Sequence, residues 1–395
     1  MKRSGALVVI FLINIVMEIT FVTGYVAGET LTRLFGISAR ELGLFWAISN
    51  VGWLVSSPLA GWFSHRFGPF GVLVVGLLAG LPAVGVVACA HGYAALLVGS
   101  VAMGVTLAFA SNANATLLAA FYPEKLRRVT SLAAALWFTG SGLAAAAIGS
   151  WLVVAERRGW TAWAWRAPYF IDILLLAACA FAGWIMIGPA ARKFALPAVA
   201  PTDSSPSRSR EWLWIIPLAA LHGIMVITLS NWTTKMAQEK FQIDERSAAL
   251  VLSALLMGMA VGRLLLASVR LPVDERSLLA VSAFAGAACF SLGLILPDYK
   301  LTLVAMGVGG FFSCATYPCI IALIGHRFAH GKAWVFGFMG ASVSLGGIIG
   351  PSLAGVLADR GLPLHRALVL SPLAAAALGA LAAFWRLRDP PPPRP

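Results

Sequence analysis

Residues 35–40 read Phe35-Gly36-Ile37-Ser38-Ala39-Arg40, and residues 241–246 read Phe241-Gln242-Ile243-Asp244-Glu245-Arg246. Ser38 followed by Glu41 has the pattern of a capping box, and Asp244 stands as an N-cap at the same place. Each opens a long apolar run. Other landmarks follow in the same order. Val101-Ala102-Met103-Gly104-Val105 recurs as Val304-Ala305-Met306-Gly307-Val308, Gly149 matches Gly350, and Arg166 matches Arg366. A chain that repeats its landmarks once over its length is built from two like units. The Val101–Val105 match also pairs Asn114 with Tyr317.

Composition says what those units are. The 395 residues are 59% hydrophobic and 11% charged, with a mean hydropathy of +0.85. Soluble domains carry about 25% charged residues, so this chain lacks the charge to cover itself in water. A spanning helix needs about 20 mostly apolar residues. Apolar runs place spans at 5–27, 41–63, 69–90, 94–120, 129–154, 167–188, 212–234, 247–269, 277–296, 301–324, 333–357 and 366–385. The runs are continuous, which excludes a β-barrel. Little chain is left for a nucleic-acid-binding or soluble catalytic domain. The expected fold is an all-α membrane protein of twelve transmembrane helices, in two six-helix pseudo-symmetric bundles around a central cavity.

The net charge of +13 is mostly a topology signal. With both termini on one face, that face collects 18 of the 29 Lys and Arg, so the positive-inside rule makes it cytoplasmic. The first span lacks a small-residue cleavage site and reads as a retained helix. The expected division is a bundle over 1–190, a Pro/Ser-rich cytoplasmic linker over 191–211, a bundle over 212–387 and a disordered tail over 388–395. The five cysteines lie in apolar runs and read as small hydrophobes. No metal, cofactor or nucleic acid is expected, and the chain is expected to be a monomer in the plasma (inner) membrane.

The pattern resembles the major facilitator superfamily over the whole length. Gly61-Trp-Phe-Ser-His65-Arg66-Phe-Gly68 is similar to that superfamily's loop between spans 2 and 3, with His65 where Asp is usual. Gly346-Gly347 through Gly350-Pro351, then Gly355 and Asp359-Arg360, also resemble superfamily patterns. Within it, Gly310-Phe311-Phe312 through Tyr317-Pro318 resembles the fucose:proton symporter-like family, as do Ala113-Asn114-Ala-Thr116 and Gly262-Arg263. That resemblance implies a carboxylic acid in span 1, a place Glu18 fills. The family's second acid, in span 4, has no counterpart, since Ala110 stands there. The Arg of drug:proton antiporters is replaced by Ser100.

Glu18 stands about 13 residues into span 1, roughly 20 Å deep at 1.5 Å per residue. An ionisable group at that depth costs at least ~2.5 kcal/mol and faces a cavity or a partner. Asn14, Glu18, Phe21 and Tyr25 share its helix face. Span 2 carries Trp46, Asn50 and Trp53 on one face, where indoles stack on sugar C–H faces and an amide bonds hydroxyls. Asn114 in span 4, Trp137 in span 5 and Tyr317 in span 10 are further candidates. Span 7 holds His222 near the midplane, a possible partner of Glu18 in proton movement. Thr228, Asn231 and Lys235 form its second polar stripe with Trp232 beside it, and Lys235 is expected to snorkel. Asp172 is expected to pair with Arg166. Arg66, Arg263, Asp359 and Arg360 read as structural or gating residues.

These residues favour a secondary transporter that moves a small polar solute, a sugar or polyol, by alternating access with protons. The alternatives are an exporter of amphipathic compounds, an organic-anion carrier and a sensor that binds without translocation. An anion carrier calls for a midplane cation, which the span depths do not supply. An enzyme is not expected, because Ser111, His222 and Asp172 fall at different depths. If each half is a bundle, co-expressed fragments 1–200 and 201–395 should reassemble. Co-purification of a tagged half with its partner checks this, and recovery of each half alone would contradict it.

Overall fold

The computed structural model describes residues 3–122, 125–193, 213–269, 273–327 and 332–384. The expected linker over 191–211 begins within a helix at 191–193 and otherwise lies outside them, as does the tail over 388–395. The first half comprises α1 (Arg3–Val26), α2 (Gly28–Phe35), α3 (Ala39–Phe67), α4 (Pro69–Ala88), α5 (Tyr93–Phe121), α6 (Leu126–Arg157), α7 (Thr161–Ala164) and α8 (Ala167–Lys193). The second comprises α9 (Ile215–Phe241), α10 (Glu245–Ser268), α11 (Glu275–Ile295), α12 (Tyr299–Ser313), α13 (Thr316–Arg327), α14 (Lys332–Asp359), α15 (Leu364–Ala367) and α16 (Leu370–Phe384). Twelve stretches among the described residues are long and apolar enough to cross a membrane.

Local chemistry sets the helix ends. At Ser38 the hydroxyl accepts from the Glu41 N–H at 3.2 Å, while the Ser38 N–H donates to the Glu41 carboxylate at 2.8 Å. Asp244 accepts from the Ser247 N–H at 2.8 Å, a bond that holds its carboxyl below the usual carboxylate range. The residue two positions before each cap is left-handed: Gly36 at φ 62° and Gln242 at φ 52°. Span 10 is broken between α12 and α13. Pro318 has no N–H, and its ring crowds the carbonyl of Cys314 four residues back.

Two features were not expected from hydropathy. The short α2 has too few apolar residues to register as a span. The seventh span continues past 234 to Phe241, because Lys235 is buried in an ion pair instead of ending the helix at the surface.

The halves pack alike. In the first, α1 lies against α6 and α8, α3 against α5, and α4 against α5 and α8; in the second, α9 lies against α14 and α16, α10 against α12, and α11 against α12 and α16. Between halves, α6 runs along α10 and α3 along α14.

Packing also sets the repeat's register, and it differs from part of the sequence match. A Cβ on Gly104 would strike the Ser49 carbonyl, and one on Gly310 the Leu255 carbonyl. Both pairs keep the spacing of Ser38 and Asp244. Tyr93 donates to the Glu41 carbonyl at 2.7 Å, and Tyr299, at the same spacing, donates to the Ser247 carbonyl at 2.9 Å. The equivalent of Gly104 is therefore Gly310, not Gly307, and the identical Val101–Val105 and Val304–Val308 segments are out of register by about one helical turn. The equivalent of Gly149 is Gly355, not Gly350: Gly149 lies against Glu245 and Arg246, and Gly355 against Ala39 and Arg40. Tyr317 then matches Ser111, not Asn114.

A Cβ on Gly307 would meet nothing nearer than the Ala254 carbonyl oxygen at 3.4 Å. Gly310→Ala and Gly104→Ala should therefore each lower the apparent thermal midpoint, at a cost of about 1–3 kcal/mol for overpacking. Gly307→Ala should leave it nearly unchanged. Equal losses at positions 307 and 310, measured by thermal unfolding in detergent, would contradict this register.

Candidate functional site

The two halves close on each other at the end that carries Ser38 and Asp244. Gly43 approaches the Pro351 carbonyl so closely that a Cβ would lie 2.7 Å from it, and a Cβ on Gly355 would lie 2.6 Å from the Ala39 carbonyl. Trp46 meets Trp232 edge to face, with centroids 4.7 Å apart. The Trp46 indole donates to the Gly24 carbonyl at 3.2 Å and the Trp232 indole to Pro351 at 3.1 Å. Lys235 pairs with Glu29 of the other half and with Glu239 at 3.4 Å. Thr30 donates to Glu245 at 2.5 Å, again across the halves.

Below this closure lies a cavity of about 440 Å³, lined from both halves. Its walls extend toward the end where α1 begins. From the first half it receives Asn14, Glu18, Tyr25, Asn50, Trp53, Asn114 and Trp137, and from the second His222, Tyr317 and Arg263. Phe21, Ser49, Ser111, Phe138, Ser230 and Ser344 complete much of the lining.

Each polar group has a definite setting. Trp137 stands beside the Glu18 carboxyl in the cavity wall. Asn14 donates to the Ile10 carbonyl at 2.8 Å, and Asn114 reaches the same oxygen from α5 at 3.4 Å. Asn50 donates to Trp46 at 3.3 Å and to Gly347 of the other half at 3.5 Å. The His222 ring stacks on Tyr317 at 5.4 Å. Its Nδ1 lies 2.9 Å from the Thr316 hydroxyl, which donates its one proton to the Ser313 carbonyl at 2.7 Å. The Thr316 hydroxyl thus links the His222 ring to the Ser313 carbonyl.

Other expected site residues lie elsewhere. Asn231 and Trp232 are fully buried in the closure and do not line the cavity. The Asn231 amide has no hydrogen-bond partner among the described residues. Lys235 does not snorkel, since its ion pairs hold it within the protein. Asp172 does not pair with Arg166. It accepts from the buried Thr20 hydroxyl, while Arg166 donates to the Ala162 and Ala90 carbonyls at 2.6 and 2.7 Å. Arg66 lies over the rings of Trp62 and Phe67 at 5.9 Å, and Asp359 and Arg360 are exposed where α14 ends.

Arg263 was expected at a gate away from the solute, and it lines the cavity instead. Depth along α10 had placed it too near one end of the helix for a binding site. The cavity itself extends toward that end, so depth from the midplane does not exclude it. Serines such as Ser49 and Ser344 carried no sequence signal, because a hydroxyl in a span readily bonds its own helix.

The Major Facilitator Superfamily profile matches residues 7–298 and 237–395. The chain belongs to the major facilitator superfamily. Among solved structures, the E. coli fucose:proton symporter is similar, with a TM-score of 0.66, 16% identity, and coverage of 97% of this chain and 98% of that one. At that identity the likeness shows the fold. No curated protein sequence matches the chain. This superfamily member is therefore a multi-pass membrane transporter and not an enzyme.

Cysteines placed singly at Asn14, Asn114, Trp137, Tyr317 and Ser344, in a background lacking the five native ones, should react with a water-soluble maleimide supplied at the end where α1 begins. Cysteines at Asn231 and Trp232 should stay unlabelled from that side. The reverse pattern, read by gel shift in vesicles, would contradict the cavity's placement.

Proposed function

We propose that this transporter moves a small hydroxylated solute, of sugar or polyol type, by alternating access, and that proton binding at Glu18 drives it. The observation that carries this reading is the cavity lining. Three amides, Asn14, Asn50 and Asn114, stand with the indoles of Trp53 and Trp137 around one carboxyl. Amides exchange hydrogen bonds with solute hydroxyls, and indole faces cover sugar C–H surfaces. The solved neighbour's description as a fucose:proton symporter agrees with this choice.

Glu18 supplies the proton site. The other titratable or charged groups around it are Tyr25 on its own helix and His222, Arg263 and Tyr317 across the cavity. Asp172 is held on α8 by Thr20. Glu18 is the one carboxyl among the lining residues. When protonated it is neutral and donates a hydrogen bond; when ionised it only accepts. Solute bonding therefore differs between the two states, which is what coupling requires. The halves rock about the site: the closure at Gly43, Trp46 and Lys235 opens as the other end closes. With positive charge inside, the observed cavity faces the cytoplasm, both termini are cytoplasmic, and the protein resides in the plasma (inner) membrane as a monomer.

Glu18→Gln keeps a hydrogen-bonding amide but removes titration. In proteoliposomes with an imposed inward proton gradient it should abolish accumulation while leaving solute exchange at equal concentrations. Unchanged proton-driven accumulation would remove Glu18 from coupling.

A further inference from the structure

Resting on the reading of this cavity as the solute site, we infer that Arg263 is an anion subsite and that the solute is a hydroxylated carboxylic acid, an acidic relative of a sugar. Arg263 is 8% exposed and lines the cavity. It takes part in none of the ion pairs among the described residues. Its guanidinium lies over the Phe138 ring at 4.9 Å, and its Nε, also buried, has no hydrogen-bond partner.

A guanidinium stays charged at any physiological pH. Burying a cation without a counter-charge is strongly unfavourable, and a ring face offsets only part of that cost. No carboxylate among the described residues lies within ion-pair distance of Arg263. The missing partner is then one that arrives and leaves. A carboxylate matches the guanidinium fork with two parallel N–H···O bonds, and one of these satisfies Nε. Tyr317 and His222, stacked on each other, stand close enough to Arg263 to interact electrostatically. They form the wall beside the anion. The amides and indoles of the other half are left for the hydroxyls and carbon chain, so one solute engages both halves.

A single formal charge also sets the count. With Glu18 protonated, the lining carries one fixed cation, and one carboxylate neutralises it. A neutral sugar leaves the guanidinium unpaired, and a dicarboxylate brings one charge too many.

The test uses the full-length protein in detergent and in proteoliposomes, with matched six-carbon probes: gluconate and galacturonate against glucose and galactose. The acids should raise the thermal midpoint, and the neutral sugars should not at the same concentration. Arg263→Gln should weaken acid binding by at least ~30-fold, the smaller end of losses on truncating a buried charge pair. Arg263→Lys, which keeps the charge and loses the fork, should weaken it less and guards against a folding defect in the first variant. Neutral sugars that bind and accumulate with no competition from the acids would overturn the anion subsite and leave the sugar-transport reading standing. Acids that bind through Arg263 without any flux would uphold the subsite and overturn transport. Failure of both acids to bind, or acid binding unchanged in Arg263→Gln, would overturn the inference.

Discussion

The two halves of this transporter meet where neither has a side chain in the way. Gly43 lies against the Pro351 carbonyl, Gly355 against Ala39, and Gly149 against Glu245. Lipid tails are as apolar as the helices, so helices in a bilayer associate through close backbone approach and interhelical hydrogen bonds more than through hydrophobic burial. These glycines permit that approach. Only with the backbones this near can Trp46 reach Trp232, and Lys235 reach Glu29 across the halves. The same contacts close one end, and the cavity below them has Arg263 in its wall.

Within the cavity the dominant constraint is hydrogen-bond accounting. Every buried polar group needs a partner, and several are tied into the helices themselves. The Ile10 carbonyl receives both Asn14 and Asn114, which joins α1 to α5 beside the solute space. Pro318 breaks span 10, Thr316 bridges the break to Ser313, and the His222 ring hydrogen-bonds Thr316. A proline that bears no chemistry thus fixes the orientation of an imidazole on another helix. Among the groups left over after this accounting, the Asn114 Oδ1 and the Arg263 Nε belong to residues that line the cavity.

The repeat shows how identity can mislead on register. Val101–Val105 and Val304–Val308 are identical, yet the helices pack with Gly104 equivalent to Gly310. In a membrane interface the small residue must sit where the neighbouring backbone passes, and Ser49 and Leu255 set that place. The less similar stretches at Phe35 and Phe241 keep true register, because a left-handed residue and a helix cap fix the backbone there whatever the side chains.

Apolar run lengths and the two caps were enough to read twelve spans and two halves, since a chain solvated by lipid must cross it in apolar helices of set length. Glu18, Asn50, Asn114, Trp137, His222 and Tyr317 were legible as site candidates because a polar group at depth is costly and helical spacing assigns its face. Sequence alone did not separate Asn231 and Trp232, buried in the closure, from cavity residues one turn away. Nor did it show Lys235 buried with Glu29, or Arg263 in the cavity wall. Those outcomes depend on which end of the two bundles is shut. Depth in the membrane is a property of one helix and can be counted along it; closure is a property of two halves, and backbone contacts between residues far apart in the chain decide it.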